Sequence, residues 1–218
     1  MNERFKLVVF DWDGTLMDSE AQIVNSLANV ISDLNLPSRS DRDLRNVIGL
    51  GLPEAIRHLF PDEESEVQRN FAERYRHHFL SGAQSPSALF HGALEVVSRL
   101  HEQGYLLAVA TGKSRRGLDR SLQETSSGEY FHVTRCADET FSKPHPQMLL
   151  EIMTDLNVEP DETVMIGDTE YDLQMAAQAG TAALAVSYGV HERERLLAHQ
   201  PLACLDDISE VGGLLYKR

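Results

Sequence analysis

Four short stretches hold the residues that could do chemistry. In Asp11-Trp12-Asp13-Gly14-Thr15, two carboxylates stand two positions apart, directly after the apolar run Leu7-Val8-Val9-Phe10. Such a run reads as a strand buried on both faces, and Gly14 lets the chain turn sharply behind the acids. Thr111-Gly112-Lys113 follows the apolar run 105–110, Lys143-Pro144 lies in a loop, and Gly167-Asp168 follows Thr163-Val164-Met165-Ile166, with Asp172 four residues on. Two carboxylates at one strand end repel unless something positive sits between them. A divalent cation with oxygen ligands meets that need, and Mg²⁺ fits when a phosphate completes its shell. The chemistry suggested is phosphoryl transfer. Asp11 would attack phosphorus, while Asp13 would protonate the leaving oxygen and then activate water. Thr111, Gly112 and nearby backbone N–H groups would hold the phosphoryl oxygens, and Lys143 would balance charge on the phosphate and on Asp11. Asp11, Asp13 and Asp168 would hold Mg²⁺, and Asp172 would orient the loop or reach the metal through water.

These residues share an address only if the strands before them lie side by side. From about residue 88 the chain alternates strand and helix. Helices are expected near 93–103, 115–125, 146–156 and 172–179, and strands at 105–110, 130–133, 163–166 and 182–186. A short strand and a terminal helix close the chain within 202–215. That order predicts an α/β fold, a Rossmann-like parallel sheet with helices on both faces, and ligands bind outside the carboxyl ends of such strands. Residues 16–87 read differently. A helix capped by Asp18 or Ser19 runs to about 34, and Val67, Phe71, Tyr75 and Phe79 keep a helical spacing. Breaks fall at Pro37, Gly49-Leu50-Gly51-Leu52-Pro53, Pro61 and Ser81-Gly82, with a boundary at Ser85-Pro86-Ser87 and no strand anywhere in the stretch. Residues 1–15 and 88–218 are thus expected to form the core, and 16–87 a separate helical domain inserted after the first strand.

The chain has 218 residues and a net charge of −14. That charge argues against nucleic acid or an anionic membrane as partner, since both favour a basic face. Cys136 and Cys204 are far apart and lack metal-ligand spacing, which suggests two buried thiols in a reducing compartment. With no secretory leader and no long apolar span, a cytoplasmic protein acting on a small phosphorylated metabolite, as monomer or homodimer, is the expectation.

Taken together, the four motifs resemble those of the haloacid dehalogenase-like hydrolase superfamily: Asp11-Trp12-Asp13-Gly14-Thr15, Thr111-Gly112-Lys113, Lys143-Pro144 and Gly167-Asp168-Thr169-Glu170-Tyr171-Asp172. The resemblance covers the whole chain and implies a Mg²⁺-dependent phosphatase working through an aspartyl-phosphate, with 16–87 as its α-helical cap. Ile48-Gly49-Leu50-Gly51 and the tail Asp172…Ala176…Ala179-Gly180 are most similar to the phosphoglycolate phosphatase-like branch, implying phosphoglycolate or a sugar phosphate as substrate. That branch often carries Asn where Gly112 stands, Pro where Ser114 stands, and Pro-Gly where His91-Gly92 stands.

Competing readings fail on particular residues. A nucleotide P-loop ending in Gly112-Lys113-Ser114 needs glycine where Leu107 stands, and a dinucleotide fingerprint at Gly49-Leu50-Gly51 needs glycine where Glu54 stands. Phosphonate cleavage needs a cap lysine, yet the four lysines are Lys6, Lys113, Lys143 and Lys217. A receiver-type signalling domain would lack the helical insertion and the Asp168/Asp172 pair, whereas a phosphosugar mutase would keep Asp13. His77, His78, His91, His145, His191 and His199 read as surface or boundary residues. Arg115 and Arg116 read as solvated helix residues, Trp12 as packing near the cap hinge, and 62–66 as an acidic helix start.

Overall fold

A computed structural model describes residues 4–63, 65–81 and 87–216. Glu64, Gly82, Ser85, Pro86 and Lys217 lie outside these, and with them part of the expected boundary at Ser85-Pro86-Ser87. In chain order the elements are β1 (Leu7–Phe10), β2 (Met17–Asp18), α1 (Glu20–Asp33), α2 (Asp41–Asn46), α3 (Leu52–Leu59) and α4 (Ser65–Ser81). Next come β3 (Ala88–Leu89), α5 (Ala93–Glu102), β4 (Leu106–Thr111), α6 (Arg115–Glu124), β5 (Val133–Cys136) and α7 (Gln147–Leu156). The chain closes with β6 (Thr163–Gly167), α8 (Glu170–Ala179), β7 (Ala182–Val186), α9 (Arg193–Leu197), β8 (Cys204–Leu205) and α10 (Val211–Leu215).

Six strands form a parallel sheet in the order β5-β4-β1-β6-β7-β8. This is a Rossmann-like α/β fold, and β1 lies at its centre. Successive side chains of a strand face opposite ways. Val8 and Phe10 therefore join one apolar cluster with Val96, Leu100 and Leu118 of α5 and α6, while Leu7 and Val9 join another with Leu149 and Ile152 of α7. That two-sided burial is why β1 reads as an unbroken apolar run.

Helices α1 to α4 enclose an apolar cluster of their own, including Ile23, Leu27, Leu44, Ile56 and Phe71. Phe60 and Phe71 pack at 6.0 Å within it, and Val190 of the sheet layer reaches its edge. The chain passes to and from this layer through an antiparallel ribbon, β2 with β3. The sequence reading had no strand within 16–87 and none at 88–89; a two-residue strand has no periodicity to read. The strand expected at 130–133 is likewise displaced. Gly128–Tyr130 is a 3-10 turn, and β5 begins at Val133. As an edge strand with partly exposed residues, it lacks the apolar signature, and its Arg135 pairs with Glu151 and Asp155. Cys204 is only half-buried, unlike Cys136, and both thiols are free. No helix among the described residues is long and apolar enough to cross a membrane.

Candidate active site

Because β1 lies between β4 and β6, Asp11 and Asp13 at its end are flanked by Thr111 on one side and Asp168 on the other. Lys143 arrives from the loop before α7, and Asp172 from the first turn of α8. Asp11, Thr111, Lys143, Asp168 and Asp172 are all at most 1% exposed, and Asp13 is 8% exposed. Burial of five charged side chains is costly unless they are paired.

The pairing centres on Lys143. Its Nζ lies 2.7 Å from Asp11 Oδ1 and 2.6 Å from Asp172 Oδ1. Burial opposes its charge, but Asp11 and Asp172 outweigh that and raise its pKa above the ordinary lysine value. Asp172 also accepts from the Thr169 N–H and hydroxyl, so both its oxygens are occupied. Asp168 accepts from the Thr15 hydroxyl at 2.7 Å and the Val190 N–H at 2.9 Å. Gly14, with φ +86°, makes room for it: a Cβ there would stand 2.2 Å from Asp168 Oδ2. Asp11 Oδ1 accepts from the Trp12 N–H at 2.6 Å, whereas Asp11 Oδ2 is buried without a partner among the described residues.

One lysine does not neutralise three acids. Carboxylate oxygens of Asp11, Asp168 and Asp172 lie within 4.8 Å of one another. Burial pushes Asp11 well above the usual carboxylate range against the pull of Lys143, and Asp172 and Asp168 add to the rise. Burial, then Asp172, pushes Asp168 up to about 7. An oxygen-only donor set and surplus buried negative charge fit a hard divalent cation.

Asp13 is held apart from this group. Lys113 Nζ lies 2.8 and 2.9 Å from its two oxygens, and the Ser19 hydroxyl donates to it at 2.7 Å. Ser19 is the N-cap of α1, but it makes no side-chain cap bond because its hydroxyl is spent on Asp13. Asp18, the other expected cap, lies in β2. Lys113 also sits 4.7 Å from the centre of the Phe79 ring on α4, so the helical layer touches the cation that holds Asp13. Sequence reasoning gave Lys113 no role beyond its motif. A lysine two residues past a strand-end threonine, where that threonine is itself a site residue, was the available signal.

The loop 47–51 closes over the sheet. Its Gly51 N–H donates to Ser142 Oγ at 2.7 Å. A Cβ on Gly112 would stand 2.5 Å from the Leu50 carbonyl oxygen and 2.6 Å from that of Gly49. Gly112→Ala is therefore expected to push this loop outward, at about 1–3 kcal/mol of overpacking. A lower melting temperature and a kcat/KM down by roughly tenfold should appear together. Behind the loop, the Tyr171 hydroxyl donates to the Asn46 carbonyl at 2.8 Å, and Arg195 joins Asn46 to Glu170. Arg195 holds Glu170 down to about 2. His191 is a correction to the surface reading: it is 3% exposed, its Nδ1 accepts from the Glu170 N–H, and burial pushes its pKa down to about 4. Trp12 is fully buried beside Leu16 and Met17, edge-on to Phe131.

Above Asp11 and Asp13 lies a cavity of about 440 Å³, walled by the helical layer on one side and by Thr111 and α6 on the other. Arg115 turns away to Thr134 and Asp119, while Arg116 is exposed and lines the cavity.

Residues 8–186 match the family described as haloacid dehalogenase-like hydrolase. The chain belongs to the haloacid dehalogenase-like hydrolases. A probable phosphatase, IndB, of Dickeya dadantii is 38% identical over 213 residues, spanning 95% of this chain and 92% of that protein. Pyrophosphatase PpaX of Bacillus cereus is 27% identical over 97% of both chains. Among solved structures, a haloacid dehalogenase-like hydrolase from Bacteroides fragilis superposes with a TM-score of 0.88 at 23% identity, covering 95% of this chain and all of that one. Within the haloacid dehalogenase-like hydrolases this chain is a phosphatase.

Proposed function

We propose that this haloacid dehalogenase-like phosphatase hydrolyses a phosphorylated metabolite through an aspartyl-phosphate on Asp11. Asp11 Oδ2 carries the reading: it is a buried carboxylate oxygen with no partner among the described residues, on an acid that lines the cavity. In-line attack by that oxygen on phosphorus would form the acyl phosphate and expel the alcohol. Asp13, held by Ser19 and Lys113, would give the leaving oxygen its proton and then take one from the water that hydrolyses the intermediate. The Thr111 hydroxyl and the Gly112 N–H would hold the phosphoryl oxygens. Lys143, fixed by Asp172, would offset their charge.

Mg²⁺, held by Asp11 and Asp168, would neutralise charge on the transferring group when bound. Both Asp13 side-chain oxygens lie against Lys113, apart from the gathered oxygens of Asp11, Asp168 and Asp172. Residues 16–87 would act as the cap that closes the cavity and excludes water. Arg76, Lys113, Arg116 and Arg120 line the cavity together with Asp11, Asp13, Glu124 and Asp138. Lys113 pairs with Asp13 and Arg120 with Glu124, so the exposed Arg76 and Arg116 are the cations that would draw a phosphate inward. The site of action would be the cytoplasm.

Turnover in ¹⁸O-labelled water tests the hydrolase against the mutase reading. Label should enter free phosphate, and isomerised sugar phosphate with little phosphate released would replace this mechanism. Adding Mg²⁺ at about a hundredfold excess over its dissociation constant should stabilise the native state by ~2.7 kcal/mol. That corresponds to a rise of roughly 5–10 °C in melting temperature for a chain of this size. Full turnover in excess chelator would remove the metal from the scheme.

A further inference from the structure

The walls of the cavity differ sharply in character. The sheet side carries the reacting groups, Lys113 and polar side chains of α6 such as Arg116 and Ser121, while the helical side presents Ile23 and Leu27 of α1, Ile48 and Leu50 of the 47–51 loop, and Tyr75 and Phe79 of α4. The polar residues of that wall are mostly engaged with one another. Ser19 donates to Asp13, Gln22 donates to the Phe79 carbonyl, and Ser87 donates to Gln22. What the helical layer still offers is the exposed Arg76 and the Tyr75 hydroxyl, which has no partner among the described residues.

A sugar or glycolate needs a matching array of donors and acceptors, because each hydroxyl or carboxylate it buries unpaired is costly. This wall has no such array. It has instead two aromatic rings 5.8 Å apart, tilted by 31°, facing a space of about 440 Å³. Volumes of roughly 300–1,000 Å³ hold drug-sized molecules, so a glycolate-sized group would leave much of this one to water.

We infer that the cavity selects phosphate monoesters whose organic part is a large, flat, mainly apolar ring system, seated against Tyr75 and Phe79 with Tyr75 as its polar handle. The inference rests on the phosphatase reading above and adds the leaving-group class to it. Glycolate, diphosphate and small polyhydroxy groups are disfavoured because they leave the apolar helical wall unfilled.

The test compares 2-phenylethyl phosphate with ethyl phosphate, in Mg²⁺, on the full chain. Both expel a primary alkoxide, so their difference reports the wall rather than leaving-group chemistry. The phenylethyl ester should show a kcat/KM at least about tenfold higher, the effect of burying one ring, and 2-phosphoglycolate, pyrophosphate and glucose 6-phosphate should rank below it. Ile23→Trp, which fills the wall, should bring the phenylethyl-to-ethyl ratio toward one. If that variant does not fold, Phe79→Ala, which removes one ring, should lower the same ratio. Equal rates for the two esters in the parent enzyme, or a preference for phosphoglycolate or glucose 6-phosphate, overturns the inference while leaving the phosphatase intact. Acetyl phosphate, too small to use the wall, separates the two levels. If neither it nor any ester releases phosphate, the hydrolase reading falls and the substrate class with it.

Discussion

Asp11→Asn is expected to abolish phosphate release and leave the fold intact. Removing a covalent nucleophile from a hydrolase costs on the order of 10⁶-fold in kcat, and the amide cannot form the acyl phosphate. The fold should survive because burial disfavours the Asp11 carboxylate: its carboxyl is pushed upward by desolvation, against the pull of Lys143, and by Asp172 and Asp168. Replacing it with a neutral amide relieves that repulsion, and Lys143 keeps Asp172 as a partner at 2.6 Å. An unchanged or slightly raised melting temperature with no turnover is the expected pair of measurements. Residual activity above about a thousandth of the parent would mean that water, rather than Asp11, attacks phosphorus.

Lys143→Met should do the opposite to stability. The thioether fills much of the same space, but Asp11, Asp168 and Asp172 then face one another without a cation. Removing one partner of a buried ion pair costs about 3–5 kcal/mol, or roughly 6–20 °C of melting temperature for a chain of this length. Activity should fall on the order of 10²–10³-fold for loss of the charge opposite the phosphoryl oxygens. Mg²⁺ should restore part of the stability, since it supplies positive charge to the same acids. The double variant with Asp11→Asn should lose less than the sum of its parts, because the two residues touch. A stability loss under about 1 kcal/mol would show that the Lys143 pairing contributes little.

How much of this was legible beforehand follows from the range of each signal. β1, β4 and β6 are continuous apolar runs because the sheet buries both of their faces, and that pattern needs only neighbours in sequence. The reactive residues end those runs or begin the next loop, so Asp11, Asp13, Thr111 and Asp168 could be assigned to one edge of a sheet without coordinates. Gly14 was readable as a turn for the same local reason, and its φ is +86°; the Asp168 carboxylate that also leaves no room for a side chain there comes only with the fold. By contrast, β2 and β3 are too short to carry a period, and β5 is an edge strand whose polar residues serve ion pairs.

What only the tertiary structure decided is which side chain meets which. Lys113 and Asp13 are 100 residues apart, and Lys143 and Asp172 are 29 apart. No local rule says that one lysine clasps the second acid of the first motif while the other bridges the first acid to the fourth motif. Those pairings exist because β1 pairs with β4 on one side and β6 on the other, and because buried charges must find a partner within hydrogen-bond reach. The apolar wall is decided in the same way. Tyr75 reads in sequence as one apolar position of a helix and Leu50 as part of a break between helices; with Ile23 of α1 they become one surface only when those elements pack above Asp11. Hydrophobic periodicity says that a face is covered; which elements cover it, and what space they leave open, depends on packing between distant parts of the chain.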